Sequence, residues 1–372
     1  MMETRAYIEK LLARADISIN GSRPWDMQLH RADVLNDVLA RGNLGLGEGY
    51  MRGDWDCEQL DEFFYRILRA QLGQEIKPTR FLWQHLKARW LNLQSRARAF
   101  QVGEQHYDLG NQLYQAMLDE RMVYTCGYWQ RAENLADAQR DKLELICQKL
   151  QLRPGMQLLD IGCGWGSFMK YAAENYSVRC VGVTVSKAQV ELGEKMCAGL
   201  PIEFRLQDYR EINEHFDAVV SIGMFEHVGQ KNYDSFMEVA ARSLKDDGLF
   251  LLHTIGRNRD VRGTDPWINR HIFPNGELPC LAHIDNSSRA HFTAEDIHNF
   301  GADYDRTLMA WSDNFERNWE QLSGDYDETF KRMWRYYLHS CAGAFRARDL
   351  QLWQWVFSKN GIEGGYHRPT LG

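Results

Sequence analysis

A chain of 372 residues is long enough for two domains, and its 44% hydrophobic and 26% charged content is that of an ordinary globular protein. A formal net charge of −7 argues against a general nucleic-acid binder while leaving room for local basic patches. No run of about 18 apolar residues exists to span a bilayer. Met1-Met-Glu-Thr-Arg5 lacks the basic and apolar regions of a secretion signal, and the eight cysteines contain no Cys-x-x-Cys pair, so reduced thiols in a cytoplasmic protein and no metal site are expected.

In chain order, Ile8, Leu11 and Leu12 give a short helical stripe, and Ile17-Ser-Ile19 and Met27-Gln-Leu29 alternate like short strands. Val34, Leu35, Val38 and Leu39 recur at helical spacing, as do Leu60, Phe63, Phe64, Ile67 and Leu68, and between them Gly42–Trp55 is punctuated by glycine. Residues 1–75 therefore read as a small α+β domain for packing or dimerisation, with no catalytic constellation. Residues 76–102 differ. Lys77, Arg80, Lys87, Arg89, Arg96 and Arg98 occur with no acid among them, interleaved with Phe81, Trp83, Trp90 and Phe100. This is a basic amphipathic linker, suited either to an anionic membrane surface or to a helix between domains.

Residues 103–372 read as the catalytic domain. His106-Tyr-Asp-Leu-Gly-Asn111 and Tyr124-Thr-Cys-Gly-Tyr-Trp129 precede a helical stretch from Ala136 to Leu150. The apolar Leu158, Leu159 and Ile161 form a buried strand that ends in Asp160-Ile-Gly-Cys-Gly-Trp-Gly166, and a helix from Ser167 to Tyr176 follows. Further strands are expected at 178–183, 202–206, 216–222 and 249–253. Each runs into polar residues: Thr184 to Gln189, with Ser186 capping the next helix; Gln207-Asp208-Tyr209; Gly223-Met-Phe-Glu-His227; and His253-Thr-Ile-Gly256. Alternating strands and helices imply an α/β fold with a mostly parallel sheet, whose ligands collect at the carboxyl ends of the strands. Pro266–Leu281 reads as an irregular insertion, Phe300–Trp319 and Phe330–Ala342 as helices with Gly343 as a stop, and Leu350–Phe357 as a last strand at the sheet edge.

Gly162, Gly164 and Gly166, with Asp160 two residues ahead, match neither the Gly-x-Gly-x-x-Gly of a dinucleotide site nor a phosphate loop. The spacing resembles motif I of S-adenosylmethionine (SAM) dependent methyltransferases, in which the acid helps hold the cationic amino-acid end. A side chain at Gly162 is expected to enter ligand space. Added to His106–Asn111, Tyr124–Trp129, Gly223-Met-Phe-Glu-His-Val228, His253–Gly256, Pro274-Asn-Gly276 and Cys341-Ala-Gly-Ala-Phe-Arg346, the loop resembles bacterial cyclopropane-fatty-acyl-phospholipid synthases through nearly the whole chain. The related mycolic-acid cyclopropane synthases resemble only the region after residue 100.

The resemblance implies a Rossmann-like SAM-dependent methyltransferase domain. It also implies transfer of a methylene group to the cis double bond of an unsaturated acyl chain in a membrane phospholipid. A carbocation forms and is deprotonated by bound bicarbonate as the cyclopropane ring closes. SAM falls to Tyr124, Thr125, Leu159, Asp160, Ile161, Gly162, Cys163, Gly164, Trp165, Gly166, Thr184, Ser186, Gln189, Gln207, Asp208 and Tyr209, with Thr184 and Gln189 standing where many methyltransferases carry an acid. Bicarbonate falls to Cys126, Glu226, His253, Tyr304 and the amide of Ile255, with Cys341 near the site. The expected setting is a homodimer attached peripherally to the inner face of the cell membrane. Alternatives are a lipid methyltransferase giving a methyl-branched or methylene product, a nicotinamide oxidoreductase, which the glycine spacing opposes, and a non-catalytic membrane module.

Overall fold

The computed structural model describes residues 2–74, 110–261 and 263–371. They cluster into two compact units, one built from the residues up to 74, 263–274 and 304–350, the other from 110–261, 275–303 and 351–371. The first unit thus draws on two later segments that a contiguous 103–372 domain would keep together. The Lys77–Arg98 stretch and the His106 motif through Leu109 lie outside the described residues.

The first unit is mainly helical. Its strands are a ribbon of β1 (Gln28–Leu29) and β2 (Trp55–Asp56), antiparallel with Gln28 opposite Asp56. Helices Asp33–Arg41, Asn43–Met51, Leu60–Arg69 and Glu328–Arg346 surround an aromatic core in which Tyr50, Trp55, Phe63, Phe64, Trp267 and Tyr336 meet at ring distances from 4.4 to 5.6 Å. The glycine-punctuated stretch is helical because its glycines face neighbours. A Cβ on Gly47 would stand 2.4 Å from the Trp267 ring. Burial of that aromatic face outweighs the poor helix propensity of glycine. Pro266–His271, within the expected irregular insertion, is a helix capped by Asp265, whose carboxylate accepts from the amides of Trp267 and Ile268 at 3.0 Å. The cations between Lys331 and Arg346 are engaged inside this unit, among them Lys331 with Glu316, Arg332 with Asp56, and Arg346 with Asp61 and Asp305.

The second unit holds a seven-stranded sheet of β3 (Gln157–Ile161), β4 (Arg179–Thr184), β5 (Ile202–Leu206), β6 (Phe216–Ile222), β7 (Leu244–Arg257), β8 (Thr293–Asn299) and β9 (Leu350–Ser358), in the order β5-β4-β3-β6-β7-β9-β8. Strands β3 to β7 pair in parallel, and β8 and β9 are antiparallel. Side-chain alternation explains the layers. Leu158, Val220 and Leu251 face helices Leu135–Lys149 and Ser167–Tyr176, while Leu159, Val219 and Phe250 face Tyr233–Ser243 and Leu281–Ser288. Two expectations change. β9 is interior, with Leu352–Phe357 nearly inaccessible, and the edge belongs to β8, which the sequence reading missed. From β3 the chain steps out to β4 and β5, then returns to β6 on the other flank. That reversal creates the crevice where ligands of such sheets bind.

Candidate active site

The loops after β3 and β6 meet at this crevice. Gly162 has φ +86°, and a Cβ there would lie 2.5 Å from Cγ of Met224. A Cβ at 162 would therefore meet the Met224 side chain first. Gly164, at φ +55°, faces open space. Cys163 and Trp165 are buried, and Trp165 meets Tyr114 at 5.0 Å, which in turn meets Tyr124 at 5.1 Å.

Asp160, on β3, is 2% exposed, and its Oδ1 has no hydrogen-bond partner among the described residues. Burial pushes its carboxyl up to about 7, opposed by Lys142. Lys142 is itself buried on helix Leu135–Lys149 and donates to Thr125 Oγ1 at 2.9 Å, while Gln139 donates to the Thr125 carbonyl at 2.8 Å. Burial lowers Lys142 to about 8 against the pull of Asp119, Cys126 and Asp160.

At the end of β4, Thr184 Oγ1 donates to Gln189 Oε1 at 2.7 Å, and Ser186 caps the next helix by accepting from the Gln189 amide at 3.3 Å, as its sequence predicts. The Gln189 side-chain nitrogen then remains as a donor. After β5, the Gln207 amide donates to the Thr184 carbonyl at 3.0 Å. Both carboxylate oxygens of Asp208 accept from Arg210, at 2.9 Å each, and Tyr209 packs into the core edge-on to Phe236.

A second cluster lies beside the first. Glu226 follows β6 in a short 3₁₀ turn. It is 7% exposed; its Oε1 accepts from the Ile255 amide at 2.6 Å, and its Oε2 has no hydrogen-bond partner among the described residues. Burial raises Glu226 to about 7, tempered by that amide. His253 sits on β7 opposite Ile222. Its Nδ1 lies 3.2 Å from Gln354 Nε2, so the proton is assigned to Nε2, which has no partner among the described residues. Burial and the fields of Lys142 and Lys149 hold the imidazole neutral. Cys126 is fully buried, with its thiol 3.2 Å from the Gly127 carbonyl.

The second unit thus brings Cys126, Asp160 and His253 around Lys142 and places Glu226 in the turn after β6, the strand that pairs with the one carrying His253. Tyr304 and Cys341 belong to the first unit. There Tyr304 lies 4.5 Å from the Phe345 ring, and burial pushes the Cys341 thiol up to about 12, which leaves it protonated. Sequence reasoning missed Lys142 and Gln354. Each is a polar residue in an otherwise inward-facing stretch, and that was the available signal. Chemically, a near-neutral carboxyl, a neutral imidazole with its N–H and a thiol make a donor set for a small anion, without a fixed positive charge of their own.

The family model described as mycolic acid cyclopropane synthetase matches residues 94–355. The chain belongs to this family. It is 54% identical over 363 residues to the cyclopropane-fatty-acyl-phospholipid synthase of Escherichia coli (strain K12), covering 96% of this chain and 93% of that protein. It is 35% identical over 285 residues to cyclopropane mycolic acid synthase 2 of Mycobacterium leprae, covering 69% of this chain and 92% of that one. Among solved structures, a cyclopropane synthase from Mycobacterium tuberculosis superposes with a TM-score of 0.66 at 31% identity, over 70% of this chain and 98% of that one. A mycolic acid cyclopropane synthase complexed with SAH and CTAB gives 0.66 at 34% identity, over the same shares. As a member of the cyclopropane synthetase family, the chain is a SAM-dependent enzyme of the methyltransferase class.

Proposed function

We propose that the protein transfers a methylene group from SAM to the cis double bond of an unsaturated acyl chain in a membrane phospholipid, forming a cyclopropane ring. The observation that carries the reading is a pair of buried polar atoms, Glu226 Oε2 and His253 Nε2, without hydrogen-bond partners among the described residues and borne at the carboxyl side of adjacent strands. The 54% identity to a cyclopropane-fatty-acyl-phospholipid synthase supports the choice of substrate.

The residues present fit both small molecules. Asp160 offers an open carboxylate oxygen to an ammonium group, Gly164 leaves space for close approach, and the Thr184–Gln189 pair offers amide donors to ribose hydroxyls, less strongly than a carboxylate accepts from them. Bound there, SAM supplies an electrophilic methyl on a sulfonium. Cys126, Glu226 and His253 offer donors to bicarbonate, and Tyr304 is the further ligand the resemblance implies. Held in this way, bicarbonate supplies a base for the proton that leaves the new methyl. The Ile255 amide already donates to Glu226 Oε1, so we assign it to orienting that carboxyl. Burial of all three second-unit residues keeps water from a positively charged acyl chain. The protonated Cys341 is given no covalent step, because SAM is already an activated donor.

The test is transfer of label from radioactive SAM into phospholipid vesicles, with bicarbonate removed and then restored. Label should enter cis-unsaturated but not saturated lipid, and should depend on bicarbonate. Labelling of saturated lipid, or indifference to bicarbonate, would contradict the corresponding part of the reading.

A further inference from the structure

A buried ammonium persists in a fold only where specific partners offset its lost hydration. Lys142 is 1% exposed, on the same helical face as Ala138 and Leu145. The groups that face it come from several elements. Asp119, Thr125 and Cys126 belong to the segment before its helix, Asp160 to β3, and His253 to β7. Its ammonium donates to Thr125 Oγ1 at 2.9 Å, and Gln139, three residues earlier on the helix, holds the carbonyl of the same residue at 2.8 Å. Residue 125 is thus fixed twice from one helix. Asp160 is buried with one carboxylate oxygen open, and Cys163 and Cys180 near it are thiols that burial keeps protonated. Lys142 is the cation whose field reaches it.

We propose that Lys142 is a positioning residue of the cofactor site: the buried counter-charge that lets Asp160 receive the cationic end of SAM, and the clamp that fixes Thr125. This rests on the reading of Asp160 as a SAM-binding residue. Burial raises the Asp160 carboxyl to about 7 against the field of Lys142, so SAM affinity should rise with pH through that region as the carboxylate forms. Without the lysine charge, which the parent itself begins to lose near pH 8, Asp160 holds its proton to higher pH and the rise moves up. The α-amino group of the ligand loses its proton near pH ~8, but it does so equally for every variant.

Isothermal titration of SAM into the full chain, in a series from about pH 6 to about pH 9, reads this directly. The parent should bind more tightly as pH rises through about 7, and a flat profile overturns the proposal. Lys142→Met should weaken binding near neutrality by about tenfold and move the rise upward by about one pH unit. Lys142→Gln keeps a donor for Thr125 without the charge; it should shift the profile in the same way, and it carries the test if the methionine variant does not fold. A glutamine variant with the parent's profile, or with uniformly weaker binding at an unmoved pH, makes Lys142 a packing residue and overturns the proposal. Asp160→Asn should weaken binding and flatten the rise. If that variant binds as the parent does, the cofactor reading of Asp160 fails, which is a different result from Asp160 mattering while Lys142 does not.

Discussion

At Glu226, burial pulls one way and hydrogen bonding, chiefly from the Ile255 amide, the other, and burial wins. Its ordinary value of 4.5 becomes about 7, so the stability this carboxyl contributes is complete below 4.5 and is lost as pH rises through about 7. Such a shift corresponds to roughly 3 kcal/mol. Glu226→Gln should therefore be more stable than the parent above neutrality by up to about 3 kcal/mol, and no more stable at about pH 4, in urea melts run without bicarbonate. A difference independent of pH contradicts the assignment. Turnover should fall on the order of 10²–10⁴-fold, with SAM affinity little changed. A site that is less stable than its inert variant is what function at a buried acid entails. The glycine loop gives a second contrast. Gly164→Val should lose SAM binding, because its side chain enters open space. Gly162→Ala should instead lower the melting temperature, because its Cβ meets Met224 in a left-handed backbone. Loss of SAM affinity with unchanged stability in the second variant would reverse this reading.

Helix Glu328–Arg346 shows where a sequence rule gave the wrong physical meaning. Gly343 reads as a stop, yet the helix continues past it, because a Cβ there would stand 2.6 Å from the Asp61 carbonyl and 2.8 Å from Phe64 Cβ. It is a contact glycine. Gly343→Ala gains about 1 kcal/mol of helix propensity but must push helix Leu60–Arg69 away, at a cost typical of overpacking, about 1–3 kcal/mol. Net destabilisation in a denaturant melt is expected, and a stabilised variant would show that the two helices have room. The core strands were legible because β3, β4, β6 and the Leu249–Leu252 part of β7 are short apolar runs that lead into glycine, threonine or histidine. β8 was not, since Thr293-Ala-Glu-Asp-Ile-His-Asn299 is a polar edge strand whose pairing with β9 is visible only in three dimensions. The candidate site was legible where chemistry-bearing residues end strands or follow them, as at Asp160, Thr184 and Glu226. It was not where a buried partner lies far off in sequence, as Gln354 does from His253 and Lys142 from Asp160. Asp208 and Tyr209 have the expected position after β5, but their side chains turn to Arg210 and to the core.

For the molecule as a whole, a net charge of −7 must be reconciled with the membrane substrate proposed above. Among the described residues no helix is long and apolar enough to cross one. Charges beyond about 8–10 Å are screened at physiological salt, so a local basic surface can dominate docking. Of the basic stretch Lys331–Arg348, Lys331, Arg332 and Arg346 are engaged by acids of their own unit, and we propose Lys77–Arg98 for that role instead. Replacing Lys87, Arg89, Arg96 and Arg98 by Gln should weaken binding to anionic vesicles by up to about 4 kcal/mol, most at low salt, with SAM affinity intact. Co-sedimentation that is unchanged across a salt series returns the segment to a helix between domains. Ring closure by the carbon that SAM delivers requires that carbon to lose one of its hydrogens on the way. Mass analysis of phospholipid treated with SAM carrying a fully deuterated methyl group tests it most directly. The acyl chain should gain one carbon with two deuteriums and resist mild hydrogenation. An acyl chain that keeps all three deuteriums, or one that takes up hydrogen as an alkene does, contradicts it.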